Sequence, residues 1–296
     1  MILDGGLGLE LQRRGFGYTT RLWSGEALLR DPQLVGAIHR AYLDAGADII
    51  ETATYQLSQA TLCELGYEAA ASDEVFARAV RIARDAIAAY RATGVRTAHA
   101  QLVAGSLGPY GATVGDGSEY TGTQHLDRAA LYGFHADRTR ALVAAAPDFI
   151  LFETIPTRTE ALIVANVARD LGLEGVWISL ACADGTSTYG GDRVDDTVAE
   201  LDAFDCISVV GVNCTPPAAV APLVRAIRSV TAKAIVACPN LGQQWQTEAV
   251  GLAGGASPAE LLSNVPAWLE LGVEHIGGCC GVGPETIAEL SHAARR

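Results

Sequence analysis

The sequence predicts an α/β protein with the architecture of a (β/α)8 TIM barrel. Eight short apolar segments rich in β-branched residues recur along the 296-residue chain, and a helical pattern follows each of them. Each segment is nearly continuous in apolar residues, as expected for parallel strands that are buried on both faces. Eight alternating units in a chain of this length favour a closed barrel over an open doubly wound sheet. No linker divides residues 1–296, so we expect a single domain.

The predicted elements alternate along the chain. Strands are expected at Met1–Asp4, Asp48–Thr52, Thr97–Ala104, Phe149–Glu153, Val176–Ala181, Ile207–Val212, Ala234–Ala237 and Val273–Gly277. Helices are expected near residues 33–45, 73–92, 125–145, 158–171, 194–203, 217–231, 258–271 and 284–294. The first turn of a helix tolerates proline, and three prolines stand at or next to predicted helix starts: Pro32, Pro258 and Pro284. Glycines suited to left-handed backbone follow four helix ends: Gly46, Gly94, Gly172 and Gly272. The segment Gly105–Thr123 lacks regular periodicity and predicts a long loop.

Charge and cysteine content exclude several classes of protein. The net charge of −13 and the pI of about 4.8 argue against a nucleic-acid partner, which needs a basic face. We find no apolar run long enough to span a bilayer, and the start MILDGG lacks a signal-peptide pattern. A cytoplasmic protein is therefore expected. Its seven cysteines favour metal-binding or catalytic thiols over disulfides.

Three cysteines follow predicted strands at the end where barrel chemistry is found. Cys214 follows the sixth predicted strand, while Cys279 and Cys280 follow the eighth in the turn GGCCG. In a closed barrel only one strand separates the sixth strand from the eighth, so the ends of these two strands are close enough to share an ion. Three thiolates suit Zn²⁺ and leave its fourth position open, as in catalytic sites.

Four other cysteines need a separate interpretation. Cys182 and Cys238 also end predicted strands and remain competing ligands. Cys63 and Cys206 lie within or beside apolar segments, so we expect them to be small buried residues.

Polar residues at the same edge describe a pocket for an α-amino acid. Asp4 and Glu153 end the first and fourth predicted strands, and two carboxylates suit a substrate ammonium group. Gly5 and Gly6 would let backbone N–H groups approach a substrate carboxylate. The six histidines form no HxH or HExxH pattern.

Several motifs together resemble the zinc-dependent homocysteine S-methyltransferase family. They are DGGLGLELQRRG, GADIIETATYQLS, AGSLGPYG, FILFETIPTRTEA, GVNC and GGCCGVGPETI, and they extend over nearly the whole chain. The resemblance implies a (β/α)8 barrel and a zinc ion held by the three cysteines named above. It places Asp4, Thr52 and Glu153 against homocysteine, with Gly5 and Gly6 near its carboxylate. It also implies that Asn213 steadies Cys214 and that Trp23 lies beside the methyl donor.

The donor is predicted from differences within that family. Betaine-using relatives have tyrosines where this chain has Gln56 and Thr154, so the aromatic cage for a quaternary ammonium is weakened. Folate- and cobalamin-using relatives need further domains, for which this chain has no residues. We therefore expect homocysteine and a sulfonium donor as substrates, first S-methylmethionine and second S-adenosylmethionine. Trp23 and Tyr55 either flank the sulfonium or are packing residues at the mouth of the barrel. A monomer or homodimer is expected.

The sequence is also compatible with other functions. A betaine-type or other thiol methyltransferase would use the same zinc site. A catalytically inactive zinc-binding barrel, a redox protein with a Cys279–Cys280 disulfide and a zinc hydrolase are further alternatives. The hydrolase is disfavoured because three thiolates make a poor Lewis acid for water.

Overall fold

In the described part of the chain, seven parallel strands lie side by side in chain order and form a curled sheet. They are β1 (Ile49–Glu51), β2 (Leu102–Leu107), β3 (Phe149–Ile155), β4 (Val176–Ala181), β5 (Ile207–Asn213), β6 (Ala234–Cys238) and β7 (His275–Ile276). The computed structural model describes residues 1–95, 97–122, 126–241 and 255–295. The α/β class expected from the sequence is thereby confirmed.

Twelve α-helices are present in the described part of the chain. They are α1 (Leu7–Arg13), α2 (Ser24–Arg30), α3 (Pro32–Asp44), α4 (Gln59–Glu64), α5 (Ala69–Arg91), α6 (Tyr110–Val114), α7 (Arg128–Ala144), α8 (Arg158–Asp170), α9 (Val194–Asp202), α10 (Pro217–Arg228), α11 (Pro258–Glu270) and α12 (Pro284–Ala294). A short 3₁₀ turn covers Ser118–Tyr120. None of these helices is long and apolar enough to cross a membrane.

The first predicted strand forms single bridges and not a strand. Ile2 pairs in parallel with Ile276 of β7, and Leu3 pairs in parallel with Ile49 of β1. The backbone N–H of Leu3 donates to Ile276 O at 2.8 Å, and that of Asp4 donates to Ile49 O at 3.1 Å. The amino-terminal segment therefore contacts the first and the last strand of the sheet.

The third predicted strand was placed too early in the chain. Residues 97–100 are exposed and lie outside the strand, whereas Gly105 and Ser106, predicted as loop, are buried in β2. The physical reason is packing: a Cβ atom on Gly105 would lie 2.8 Å from Leu142 Cδ2 of α7. Gly105 thus marks a close helix contact. Thr123 of the predicted loop and residue 125 of the predicted helix lie outside the described residues.

Helix boundaries follow the capping signals of the sequence. Helices α3, α11 and α12 begin at Pro32, Pro258 and Pro284. Ser257 and Glu260 form a capping box at the start of α11. Glycines with positive φ follow the helix ends as expected: Gly46, Gly94, Gly172 and Gly272.

The apolar core has two layers, one on each face of the sheet. The larger layer lies between the strands and the surrounding helices. The smaller layer is enclosed by the curled sheet and takes at least one residue from each of β1–β6: Leu3, Ile49, Ala104, Leu151, Trp177, Val209, Val236 and Cys238. Stacking of Trp177 on Phe149 and against His275, each at 4.4 Å between ring centroids, adds aromatic packing to this inner layer. Polar residues are thereby displaced toward the carboxyl ends of the strands.

Candidate metal and substrate site

A cavity of about 790 Å³ opens at the carboxyl ends of the strands. Its volume is in the range of small-molecule sites. Every site residue expected from the sequence lines it: Asp4, Gly5, Gly6, Trp23, Thr52, Tyr55, Glu153, Asn213, Cys214, Cys279 and Cys280. Residues distant in the chain meet here because parallel strands end at one edge of the sheet.

Three cysteine sulfurs meet at the ends of β5 and β7. The Sγ atoms of Cys214, Cys279 and Cys280 all lie within 4.8 Å of one another. Cys214 and Cys280 are 4.0 Å apart at sulfur, and the structure joins Cys214 and Cys279 as a disulfide with Cα atoms 5.4 Å apart. The expectation against disulfides is wrong for this pair, because their Cα separation lies in the range that permits a bridge.

The same donor set fits a soft divalent metal when the thiols are reduced. A tetrahedral shell with metal–sulfur bonds of ~2.3 Å places its sulfurs roughly 3.8 Å apart. The observed 4.0 Å between Cys214 and Cys280 is close to that value. Burial raises the pKa of Cys280 to about 11, so its thiolate needs a nearby cation.

The other cysteines do not join this cluster. Cys182 is fully buried and burial raises its pKa to about 12, whereas Cys238 lines the cavity floor. Neither belongs to the group of close sulfurs. Cys63 was expected to be buried but is exposed, because the inward-packing residues of α4 are Thr61 and Leu62. Cys206, also expected to be buried, is only partly covered in the turn before β5.

Tight turns bring the cysteine loops to the cavity. A Cβ atom on Gly278 would lie 2.2 Å from Val282 Cγ1, and one on Gly6 would lie 2.8 Å from Cys279 O. Glycine is required at both positions. The Gly6 N–H, expected to face a substrate carboxylate, instead donates to Val282 O at 3.0 Å. The role of Gly6 in the structure is thus close packing of the first segment on the cysteine loop.

Three non-glycine residues of the cavity have left-handed backbone. Trp23, Thr154 and Cys214 have φ angles of 47°, 59° and 46°. Such conformations cost energy and are typical of functional sites, where surrounding contacts maintain them.

Three carboxyl groups gather next to the cysteines. Asp4 and Glu153 are buried, and Asp4 Oδ2 accepts a hydrogen bond of 3.1 Å from the N–H of Glu51. The sequence did not indicate Glu51, whose side chain is hydrogen-bonded to Glu153. Burial raises the pKa of all three groups, and for Asp4 and Glu51 the charge of Glu153 raises it further. Because Asp4 Oδ1 has no hydrogen-bond partner among the described residues, this group is suited to a cationic ligand.

An amide network positions Glu153. Asn213 Nδ2 donates to Glu153 Oε2 at 3.2 Å and to Thr154 Oγ1 at 2.7 Å. Asn213 Oδ1 accepts from the N–H of Thr154 and from Ser179 Oγ, both at 2.7 Å. Ser106 Oγ donates to the other oxygen of Glu153. Both carboxylate oxygens are thus held in place.

Thr52 lies on the cavity wall, but its hydroxyl already has partners. It is 2.6 Å from Thr54 Oγ1 and accepts from the N–H of Ser106 at 3.1 Å. Thr54 in turn donates to Ser106 O at 2.6 Å. The threonine pair therefore links the end of β1 to β2.

Aromatic side chains form the outer wall. Trp23 stacks on Tyr18 with ring centroids 4.0 Å apart, and Tyr55 is hydrogen-bonded to Thr154. The 3₁₀ turn contributes Glu119 and Tyr120, which the sequence did not single out. The Tyr120 hydroxyl lies 3.7 Å from Cys214 Sγ. The only sequence signal for them was the irregular loop in which they lie.

Comparison with known proteins gives consistent matches. The family model described as Homocysteine S-methyltransferase matches residues 1–294. Homocysteine S-methyltransferase 4 of Zea mays is 36% identical, with 99% of this chain and 89% of that protein covered. Selenocysteine Se-methyltransferase of Brassica oleracea var. italica is also 36% identical, with 98% and 87% covered.

A solved structure supports the same relationship. The homocysteine methyltransferase MmuM from Escherichia coli is 32% identical, with 99% of this chain and 95% of that chain covered. The TM-score is 0.88 for its oxidized form and 0.87 for its metallated form. The family resemblance inferred from the sequence motifs is confirmed.

Proposed function

The chain belongs to the homocysteine S-methyltransferase family, and from this premise we propose that it methylates homocysteine to methionine with a sulfonium donor. The observation that carries the proposal is the meeting of three cysteine sulfurs and a group of carboxyls in one cavity. An amino acid with a thiol needs one set of groups for its sulfur and another for its ammonium. The cysteines are suited to the first task through a metal, and the carboxyls to the second.

We propose Zn²⁺ as the metal and Cys214, Cys279 and Cys280 as its ligands. The spacing of the sulfurs supports this assignment, as does the existence of a metallated form of the E. coli relative. When bound, such an ion would lower the pKa of the substrate thiol, so that a thiolate would be available near neutral pH.

The carboxyl group is proposed to orient homocysteine. Asp4 Oδ1 is unpaired among the described residues, and Glu153 Oε2 is fixed by Asn213. These two oxygens are therefore suited to accept hydrogen bonds from the substrate ammonium. Thr52 contributes by holding Ser106, which positions Glu153. Gly5 has a packing role like that of Gly6, since a Cβ atom there would lie 2.3 Å from Val282 O.

The transfer itself needs no general base from the chain. The homocysteine sulfur, having lost its proton to solvent, forms a bond to the donor methyl carbon. The bond from that carbon to the donor sulfur breaks, and its electron pair stays on the donor as a neutral thioether. We assign Trp23 and Tyr55 to the donor side, where aromatic faces favour a sulfonium cation. Holding both substrates in line supplies much of the rate gain.

We propose that residues 1–296 form one domain whose sheet is a closed eight-stranded barrel, with residues 1–4 as the additional strand. Hydrogen bonds from Leu3 and Asp4 to the last and first strands support closure. A cytoplasmic monomer or homodimer is proposed on the sequence argument alone.

Donor comparison tests the proposal. Reduced, zinc-loaded protein is incubated with homocysteine and, separately, S-methylmethionine, S-adenosylmethionine or betaine, and methionine is quantified. Turnover with a sulfonium and none with betaine is expected. Turnover with betaine alone would refute the donor assignment, and no turnover with any donor would favour an inactive metal-binding protein. Selenocysteine is included as a second acceptor because a relative is named for it.

A further inference from the structure

Two side-chain oxygens in the cavity have no role in the reaction described above. Gln56 Oε1 and Glu119 Oε2 are buried, and neither has a hydrogen-bond partner among the described residues. Gln56 is only 8% exposed, and both residues line the cavity. Buried acceptors are normally satisfied, so two unsatisfied acceptors in a cavity indicate a ligand that donates hydrogen bonds.

The two acceptors belong to the donor side of the cavity. Gln56 follows Tyr55 in the loop after β1, and the charge of Glu119 reaches the Tyr55 phenol, where it adds to the effect of burial in raising the pKa. Glu119 precedes Tyr120, whose hydroxyl contacts Cys214 Sγ. This places Glu119 on the outer wall, beside the cysteine cluster.

Homocysteine does not need these acceptors. Its ammonium group is provided for by Asp4 and Glu153, and Glu153 is held by Asn213 and Ser106. A second acceptor pair therefore suits a second molecule that carries an ammonium group.

We propose that Gln56 Oε1 and the Glu119 carboxylate bind the α-ammonium group of a sulfonium amino acid, which is the methyl donor. This assignment rests on the proposed function and adds the two residues that recognise the amino group of the donor. A primary ammonium has three N–H donors and a positive charge, which match one amide oxygen and one carboxylate. A quaternary ammonium such as betaine has no N–H, and its binding would leave both acceptors unpaired.

The test compares two donors that differ in the amine alone. One is S-methylmethionine, and the other is (3-carboxypropyl)dimethylsulfonium, its analogue without the amino group. Wild-type protein is expected to prefer the amino donor by roughly 100-fold in kcat/KM, the loss expected from unpaired polar groups in the site. Glu119→Gln should reduce this preference to about tenfold, and Glu119→Gln combined with Gln56→Leu to within about threefold.

Asp116→Asn provides the matched control. Asp116 is an exposed residue of the same loop, and its Oδ1 accepts from the N–H of Ser118 at 2.9 Å, a bond that asparagine also forms. This variant loses a negative charge that raises the pKa of Glu119. The Glu119 carboxylate is then ionised at least as fully, so the variant should keep the full preference. The KM for homocysteine should change by less than about threefold in all variants, and their zinc content should match the wild type.

Two results would overturn the assignment. One is equal use of both donors by the wild-type protein, and the other is an unchanged preference in the double variant. A wild-type protein that transfers no methyl group from either sulfonium would contradict the proposed function itself, so the two failures are distinguishable.

Discussion

Asn213 and Glu153 are joined by a hydrogen bond of 3.2 Å between the amide Nδ2 and the carboxylate Oε2. Asn213 directly precedes Cys214, so a single residue of β5 connects the cysteine cluster to the carboxyl group on β3. Its amide has three further partners, which fix its orientation. In the proposed site, the position of the substrate ammonium is thereby tied to that of the substrate thiol.

Asn213→Asp should weaken homocysteine binding. Aspartate keeps the shape of asparagine but cannot donate to Glu153, and it adds a like charge beside it. We expect the KM for homocysteine to rise at least tenfold, on the order of the cost of an unpaired buried group. Ser179→Ala, which removes one bond to Asn213 Oδ1 and leaves Glu153 untouched, should have a smaller effect. Equal effects of both substitutions would contradict the positioning role.

Cys280→Ala should remove metal and activity together. The substitution leaves two of three thiol donors, which form a poorer site for a soft metal. Metal stoichiometry by mass spectrometry should fall from about one to well below one per chain, and turnover should fall at least ~100-fold. Cys63→Ala, at an exposed position, is the control and should retain both. Full activity of metal-free Cys280→Ala protein would exclude the metal-dependent mechanism.

Asp4→Asn should separate substrate binding from metal binding. The variant keeps the bond from the N–H of Glu51 but loses the negative charge that is proposed to bind the substrate ammonium. Steady-state kinetics should show a KM for homocysteine increased by about 10- to 100-fold, with unchanged zinc content. Asp44→Asn, on the exposed end of α3, controls for loss of a negative charge. Loss of zinc in Asp4→Asn would instead assign Asp4 to the metal.

Protonation of His39 should destabilise the protein in mild acid. His39 is buried in α3, and burial lowers its pKa from 6.5 to about 4. Since the unfolded chain binds the proton more tightly, stability is lost as the pH falls from about 6.5 toward 4. The loss at pH 5 amounts to about 2 kcal/mol.

Comparison of His39→Leu with the wild type isolates this effect. Neither ring nitrogen of His39 has a hydrogen-bond partner among the described residues, so leucine leaves no polar group unpaired. Urea unfolding at pH 7 and pH 5 should show a free-energy difference between the two proteins that shifts by about 2 kcal/mol in favour of the variant. Parallel changes in both proteins would show that His39 is not responsible.

The sequence was sufficient for the parts of the site that lie at strand ends. Parallel strands place their carboxyl ends together, so Cys214 and Cys279 could be brought together without coordinates. The sequence did not indicate a role for Glu51. Its position at the end of an apolar strand does not show that its side chain will contact Glu153.

The cavity residues that lie in irregular segments could not be predicted from the sequence for another reason. Glu119 and Tyr120 lie in a loop without hydrophobic periodicity, and only the fold brings their side chains into the cavity. Gly105 was read as loop from composition, although it lies in β2 where α7 packs closely. The sequence shows that Gly105 has no side chain. It does not show that Leu142 of α7 fills the space that a side chain would need.

Isotope transfer tests the central claim most directly. S-methylmethionine and homocysteine with four deuterons on its carbon chain are incubated with the reduced, zinc-loaded protein, and methionine is analysed by mass spectrometry. Methyl transfer yields two methionines per turnover, so deuterated methionine from the acceptor and unlabelled methionine from the donor should form in equal amounts. Unlabelled methionine without the deuterated product would show hydrolysis of the donor, and would contradict a methyl transfer to homocysteine.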